Sequence, residues 1–217
     1  MKKDLVVKDN ALINASYSLD LVEQRLILLA IVEARKTGKG INTNDALSVH
    51  AGSYMQNFNV ERQPAYISLK KACDDLFSRQ FSYQTVNENG NLQNHRARWV
   101  SEIAYVENEA TVKLIFSPAV VPLVTELEKH FTSYELEQVS SLSSAYAVRL
   151  YEILIAWRSL GKVPMIRLEE LRNRLGLGVN EYKAMCDLKK RVLDLAINQI
   201  NEHTDITRSE EHTSELQ

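Results

Sequence analysis

A chain of 217 residues, 45% hydrophobic and 25% charged, has ordinary globular composition, enough for one large domain or two of about 100 residues each. Its two cysteines, Cys73 and Cys186, stand far apart and outside any CxxC or Cys/His cluster, which argues against a disulfide framework or zinc site and for a reducing, cytoplasmic setting. The longest apolar run, Leu26 to Val32, is far short of a bilayer span, so no membrane partner is expected.

In chain order, Leu19, Val22, Leu26, Leu29, Ile31 and Val32 fall at helical spacing and predict a helix over 19–36, with Ser18 as its cap and Gly38 as its stop. A short strand (Leu47 to His50), a short helix (Gly52 to Phe58) and a helix from Pro64 to about Arg79 follow. Phe81 to Val86 alternates like a strand, Asn89-Gly90 is a hairpin turn, and Trp99 to Val106 and Thr111 to Phe116 read as further strands. Three helices and a hairpin in this order predict a winged helix. Pro118 and Pro122 open a helical segment reaching about Phe131, and Tyr134 to Ser144 reads as a connection. The pattern then begins again: a helix from Ser144 to Leu160, an extended piece from Val163 to Arg167, a helix from Leu168 to Leu175 and a long helix from Glu181 to His203.

The expected fold class is therefore α+β: tandem winged-helix domains, helix-rich, the second lacking its wing hairpin. The expected divisions are a first domain over 1–120, a connecting helix and linker over 121–140 and a second domain over 141–207. Residues 208–217 have neither strand alternation nor a core pattern and resemble the translation of a sequencing adapter, so they are expected to be an artefactual tail.

The net charge of −2 is unevenly spread. Ser141 to Val192 holds ten basic residues against five acidic, whereas Glu107 to Glu137 has two against six and Asn201 to Gln217 one against five. Only the local field at a contact face attracts phosphates, so the basic stretch is the candidate nucleic-acid surface; a solvated mixed surface is the plainer alternative. On the helix from Glu181, Met185, Leu188, Val192, Leu195 and Gln199 share one face, and Lys183, Asp187, Lys190, Arg191 and Asp194 lie opposite. Such a helix, following a helix and a turn, is the element that enters a major groove. Tyr182, Lys183, Lys189, Lys190 and Arg191 are the candidate contacts. In the first domain, Lys70 and Lys71 face outward beside Asp74 and Asp75, and the hairpin arm carries His95, Arg96 and Arg98, either for phosphates or as edge-strand protection.

No catalytic signature is present. Gly38-Lys39 lacks the rest of a phosphate loop, Gly176-Leu177-Gly178 has Glu181 where a dinucleotide loop needs glycine, and His50, His95, His130, His203 and His212 have no ligand spacing. Neither an enzyme nor a cofactor or metal is expected.

Four stretches together resemble the replication initiators of iteron plasmids, a family of small tandem winged-helix proteins: Asn10 to Leu26, Leu76 to Phe81, Arg98 to Ser101, and Tyr182 to Arg191 continuing through Ile200-Asn201. The resemblance covers about Val6 to Thr207. It implies a second domain that reads origin repeats in double-stranded DNA as a monomer, and a first domain that supports homodimerisation and touches phosphates. It also implies autorepression by the dimer and recruitment of the host initiator and helicase by contact. By position, Lys189, Lys190 and Arg191 match the family's basic recognition-helix residues, with Tyr182 and Lys183 at its start. Two of these are lysines where the family often has arginine, and the basic wing that follows in the family is not seen after Thr207, so repeat binding is expected to be impaired. The residues by themselves also fit a winged-helix transcriptional repressor or an oligomerisation module that binds no DNA.

Overall fold

The computed structural model describes residues 4–40, 42, 44–125 and 131–207. The chain enters through three short elements that the sequence pattern did not announce: β1 (Leu5–Asp9), α1 (Asn10–Ile13) and β2 (Ser16–Tyr17). Helix α2 (Leu21–Thr37) is capped by Asp20 rather than Ser18. The Asp20 carboxylate accepts from the Glu23 amide (2.8 Å) and Glu23 accepts in return from the Asp20 amide (2.6 Å), so two orphan donors are satisfied at once. Gly38, at φ 68°, ends the helix as expected. Leu26 to Val32 are buried without a break because α2 is enclosed on all sides, which explains why its apolar pattern is a run rather than a stripe.

Strand β3 (Leu47–His50), α3 (Ala51–Phe58) and α4 (Arg62–Ser78) follow close to their expected positions. Next comes a hairpin of β4 (Gln80–Val86) and β5 (Leu92–Arg98), whose turn is held by the Asn87 side chain accepting from the amides of Asn89 and Asn91. This hairpin is separate from the wing. The expected strand from Trp99 is β6 (Val100–Val106), paired with β7 (Thr111–Phe116) across a tight turn. β3, β7 and β6 form one three-stranded sheet and β2, β4 and β5 another. Trp99, fully buried where the two sheets meet, packs edge-on against Tyr17 (4.9 Å between centroids) and tilted against Phe81 (5.0 Å).

The connection differs from its sequence reading. Helix α5 (Val121–Thr125) is short, and residues 126–130, the rest of the expected helix, lie outside the described residues. Phe131–Glu135 is not a helix end but a strand, β8, pairing antiparallel with β1 from Leu5↔Glu135 to Asp9↔Phe131. A pairing between segments so far apart in sequence leaves no hairpin signal to read.

After α6 (Glu137–Ser140), α7 (Ala145–Ile155) stops short of the expected Leu160, followed by a 3-10 turn over Arg158–Leu160 that Gly161 closes at φ 63°. Helix α8 (Leu168–Arg174) ends in a Schellman motif: the Leu177 amide donates to the Arg172 carbonyl and that of Gly176, at φ 73°, to Asn173. The last helix starts at Met185, not Glu181. It comprises α9 (Met185–Leu188), a π-helical turn (Lys189–Leu193) and α10 (Asp194–His203). Its late start has a cause: Arg172 donates to the carbonyls of Gly178, Glu181 and Tyr182, the Glu181 carboxylate accepts from the Gly178 amide, and Tyr182 takes φ 44°. Residues 178–182 are thereby held as a turn. No strand follows β8 among the described residues, and the tail over 208–217 lies outside them.

Candidate nucleic-acid interface

Leu188, Val192, Ala196 and Ile200 anchor the last helix against α7. The expected buried face holds at Leu188 and Val192 and is corrected at Met185 and Leu195, which are 43% and 44% exposed. The π turn widens the helix by about one residue per turn, so the inward stripe drifts from the positions a regular helix would give. The same turn carries Lys189, Lys190 and Arg191, all exposed, with Lys183 exposed just before the helix. Arg191 lies 3.5 Å from Asp187 one turn back, a pair open to solvent and therefore readily exchanged for a phosphate. Tyr182 differs from these cations. It is half-buried, its ring stands edge-on to Tyr146 at 6.3 Å, and its carbonyl is held by Arg172. It braces the approach to the helix.

The first-domain candidates form two further groups. On α4, Lys70 pairs with Glu107 of the wing turn and Lys71 with Asp75 at 2.5 Å; each lysine's pKa is raised by that hydrogen bond and its charge locally balanced. On β5, Arg96 is exposed, while Arg98 donates to the Phe77 carbonyl (2.7 Å) and lies over its ring. Tyr83 and His95 stack at 4.6 Å across the hairpin, and the His95 ring meets the Thr85 hydroxyl at 2.7 Å. The carboxylates of Asp20, Glu23 and Asp75 lie within 4.8 Å of one another, but Glu23 is held by Arg79 (2.8 Å) and Asp75 by Lys71, so cations already fill that corner.

Sequence reasoning missed a buried ionic cluster linking α7 to the N-terminal strands. Lys8, Arg149 and Glu152 are at most 3% exposed. Glu152 accepts from Lys8 (2.6 Å), Arg149 (2.8 Å) and the Tyr134 hydroxyl (2.6 Å). Burial alone would raise the Glu152 pKa, but the two cations and the hydrogen bonds hold it at about 2. Lys8 is pulled down by burial and held up by Glu152, 2.6 Å away. Three charged residues at core positions would have been the only sequence signal, and periodicity does not separate them from surface charges.

The two cysteines are inequivalent. Cys73 is buried and its thiol pushed up to about 12 by burial, whereas Cys186 is exposed. A thiol reagent at neutral pH should therefore titrate one cysteine in the native protein and two after denaturation, with peptide mapping placing the native label on Cys186. Rapid native labelling of both would contradict this placement.

The first half has the helix–strand–helix–helix–wing order over a three-stranded sheet, and the second presents a basic helix behind a helix and a turn: the architecture of a tandem winged-helix DNA-binding protein. Residues 5–155 match the sequence model of the WH1 domain of initiator replication proteins, and residues 167–209 that of the WH2 domain. The chain belongs to this family of plasmid replication initiators. It is 26% identical over 211 residues to an uncharacterized 27.6 kDa protein of Escherichia coli, covering 94% of this chain and 87% of that one. It is also 26% identical over 190 residues to a replication initiation protein of Escherichia coli, covering 87% of this chain but only 56% of the relative. Among solved structures, the Pi initiator protein in complex with iteron DNA superposes with a TM-score of 0.75 at 20% identity, covering 98% of this chain and 94% of that one. The WH1 domain of MSBI1.176, a replication protein isolated from a multiple sclerosis patient, is 67% identical, covering 57% of this chain and 93% of that one, with a TM-score of 0.47. No helix among the described residues is long and apolar enough to cross a membrane.

Proposed function

We propose that this chain binds the repeated sites of a plasmid origin through the basic surface of its last helix and initiates replication without covalent chemistry. The observation that carries the reading is that Lys183, Lys189, Lys190 and Arg191 are all exposed while Leu188, Val192, Ala196 and Ile200 fix the opposite face. A rigid helix with cations outward is what groove reading needs. Residues 1–120 act as a phosphate-contacting, dimerising domain, 121–140 as the connection and 141–207 as the recognition unit. Lys70, Lys71, Arg96 and Arg98 supply backbone contacts, and Tyr182 supports the recognition helix. Monomers occupy repeats in the cytoplasm, dimers repress the gene, and the host initiator and helicase are recruited by protein contact. Dimerisation is supported by β5, a seven-residue strand at the edge of its sheet, where a second copy can add by strand pairing.

A gel shift at low salt, with an origin fragment carrying repeats and a random duplex of equal length, tests the reading. The expected result is a shift of both, persisting to higher salt for the origin fragment. If neither duplex shifts at low salt, the chain is not a DNA-binding module and an interaction role replaces this one.

A further inference from the structure

Two contacts that link the elements leading to the basic helix with the N-terminal strands converge on one point. The first is Arg149 on α7. Its guanidinium donates to the carbonyls of Ile13 (3.0 Å) and Ala15 (3.1 Å), on either side of the corner between α1 and β2, and to that of Arg174 (2.9 Å) at the end of α8. The same group stacks over the Tyr17 ring at 3.9 Å and bonds its hydroxyl at 2.5 Å. One planar side chain thus ties the end of α8 to the corner before β2. The second is Gly176. A Cβ there would stand 2.0 Å from the Tyr17 carbonyl oxygen and 2.7 Å from its carbon, so the α8 turn rests directly on the backbone of β2. Only glycine permits both that approach and its φ of 73°. From α8 the linkage continues, since Arg172 grips the turn over 178–182 that delivers the chain to the basic helix.

We propose that Gly176 and Arg149 form a rigid joint that sets the orientation of the basic helix relative to the first winged-helix domain, so that both can touch one face of a DNA duplex. They are positioning residues. The joint itself is independent of ligand; its use in DNA reading rests on the function proposed above.

Pulsed dipolar spectroscopy on the full chain tests the joint without DNA. One spin label goes on the native Cys186 and a second on an introduced Gln63→Cys at the exposed start of α4, Cys73 being buried. The labelled parent should give a single narrow distance. Gly176→Ala, whose added methyl collides with β2, and Arg149→Lys, which keeps the buried positive charge beside Glu152 but cannot span the three carbonyls, should each broaden or displace it while far-ultraviolet circular dichroism stays folded. If Gly176→Ala does not fold, Arg149→Lys decides alone. A distribution matching the parent's overturns the joint. In unlabelled protein, the log–log salt dependence of DNA binding should become shallower by about 0.9 for each phosphate that the first domain no longer neutralises. An unchanged slope alongside a broadened distance would overturn the positioning role. If the parent itself binds no duplex, the proposed function fails while the distances still decide the joint.

Discussion

Replacing Lys190 and Arg191 together by alanine is expected to lower affinity for origin repeats by about two orders of magnitude at fixed salt, because each base-edge contact is worth about 1–3 kcal/mol. Affinity for random duplex should fall less, by the phosphate share alone, so the specific-to-random ratio should shrink. Both side chains are exposed on the π turn and away from the packed face, so the variant should fold and melt like the parent. Fluorescence anisotropy titrations of both duplexes over a salt series would separate the two effects. A ratio equal to the parent's would mean that these cations hold phosphates only and that the base-reading assignment is wrong.

The second large effect lies in the core. Glu152→Ala should cost about 3–5 kcal/mol of unfolding free energy, because it leaves Lys8 and Arg149 buried without their counter-charge. Urea unfolding measures it; a loss below about 1 kcal/mol would mean that water or a rearranged Tyr134 replaces the carboxylate. The same group sets an acid limit. A carboxyl whose folded pKa of about 2 lies below its ordinary value of 4.5 stabilises the fold fully above pH 4.5 and loses that contribution as pH falls toward 2. Glu152→Gln should flatten this part of the stability profile relative to the parent.

The periodic elements were legible: α2, α3, α4, the β4 strand, β6, β7 and α8 stand within a few residues of where apolar spacing, glycine stops and turn residues put them. The misplaced boundaries have different causes. Asp20 displaced Ser18 as a cap through its reciprocal bond with Glu23, a capping box whose Asp-x-x-Glu spacing is itself local. The last helix began at Met185 because Arg172, on the preceding helix, holds the intervening turn, and apolar spacing does not register a side chain that arrives from another element. The basic triplet was visible in the sequence, and Leu188 and Val192 stand inward as expected, but beyond the π turn the inward stripe passes from Leu195 and Gln199 to Ala196 and Ile200.

By itself, then, the sequence determined the fold class, the repeated helical unit, the family resemblance and the location of the positive charge, all of which depend on neighbours along the chain. Tertiary structure alone decided that β1 closes on β8, that Lys8, Arg149 and Glu152 are core residues, and that Gly176 rests on Tyr17. Those facts arise from groups that stand far apart along the chain. Their partners are chosen by packing, and a lysine or glycine reads the same in one dimension whether it meets water or the backbone of another strand.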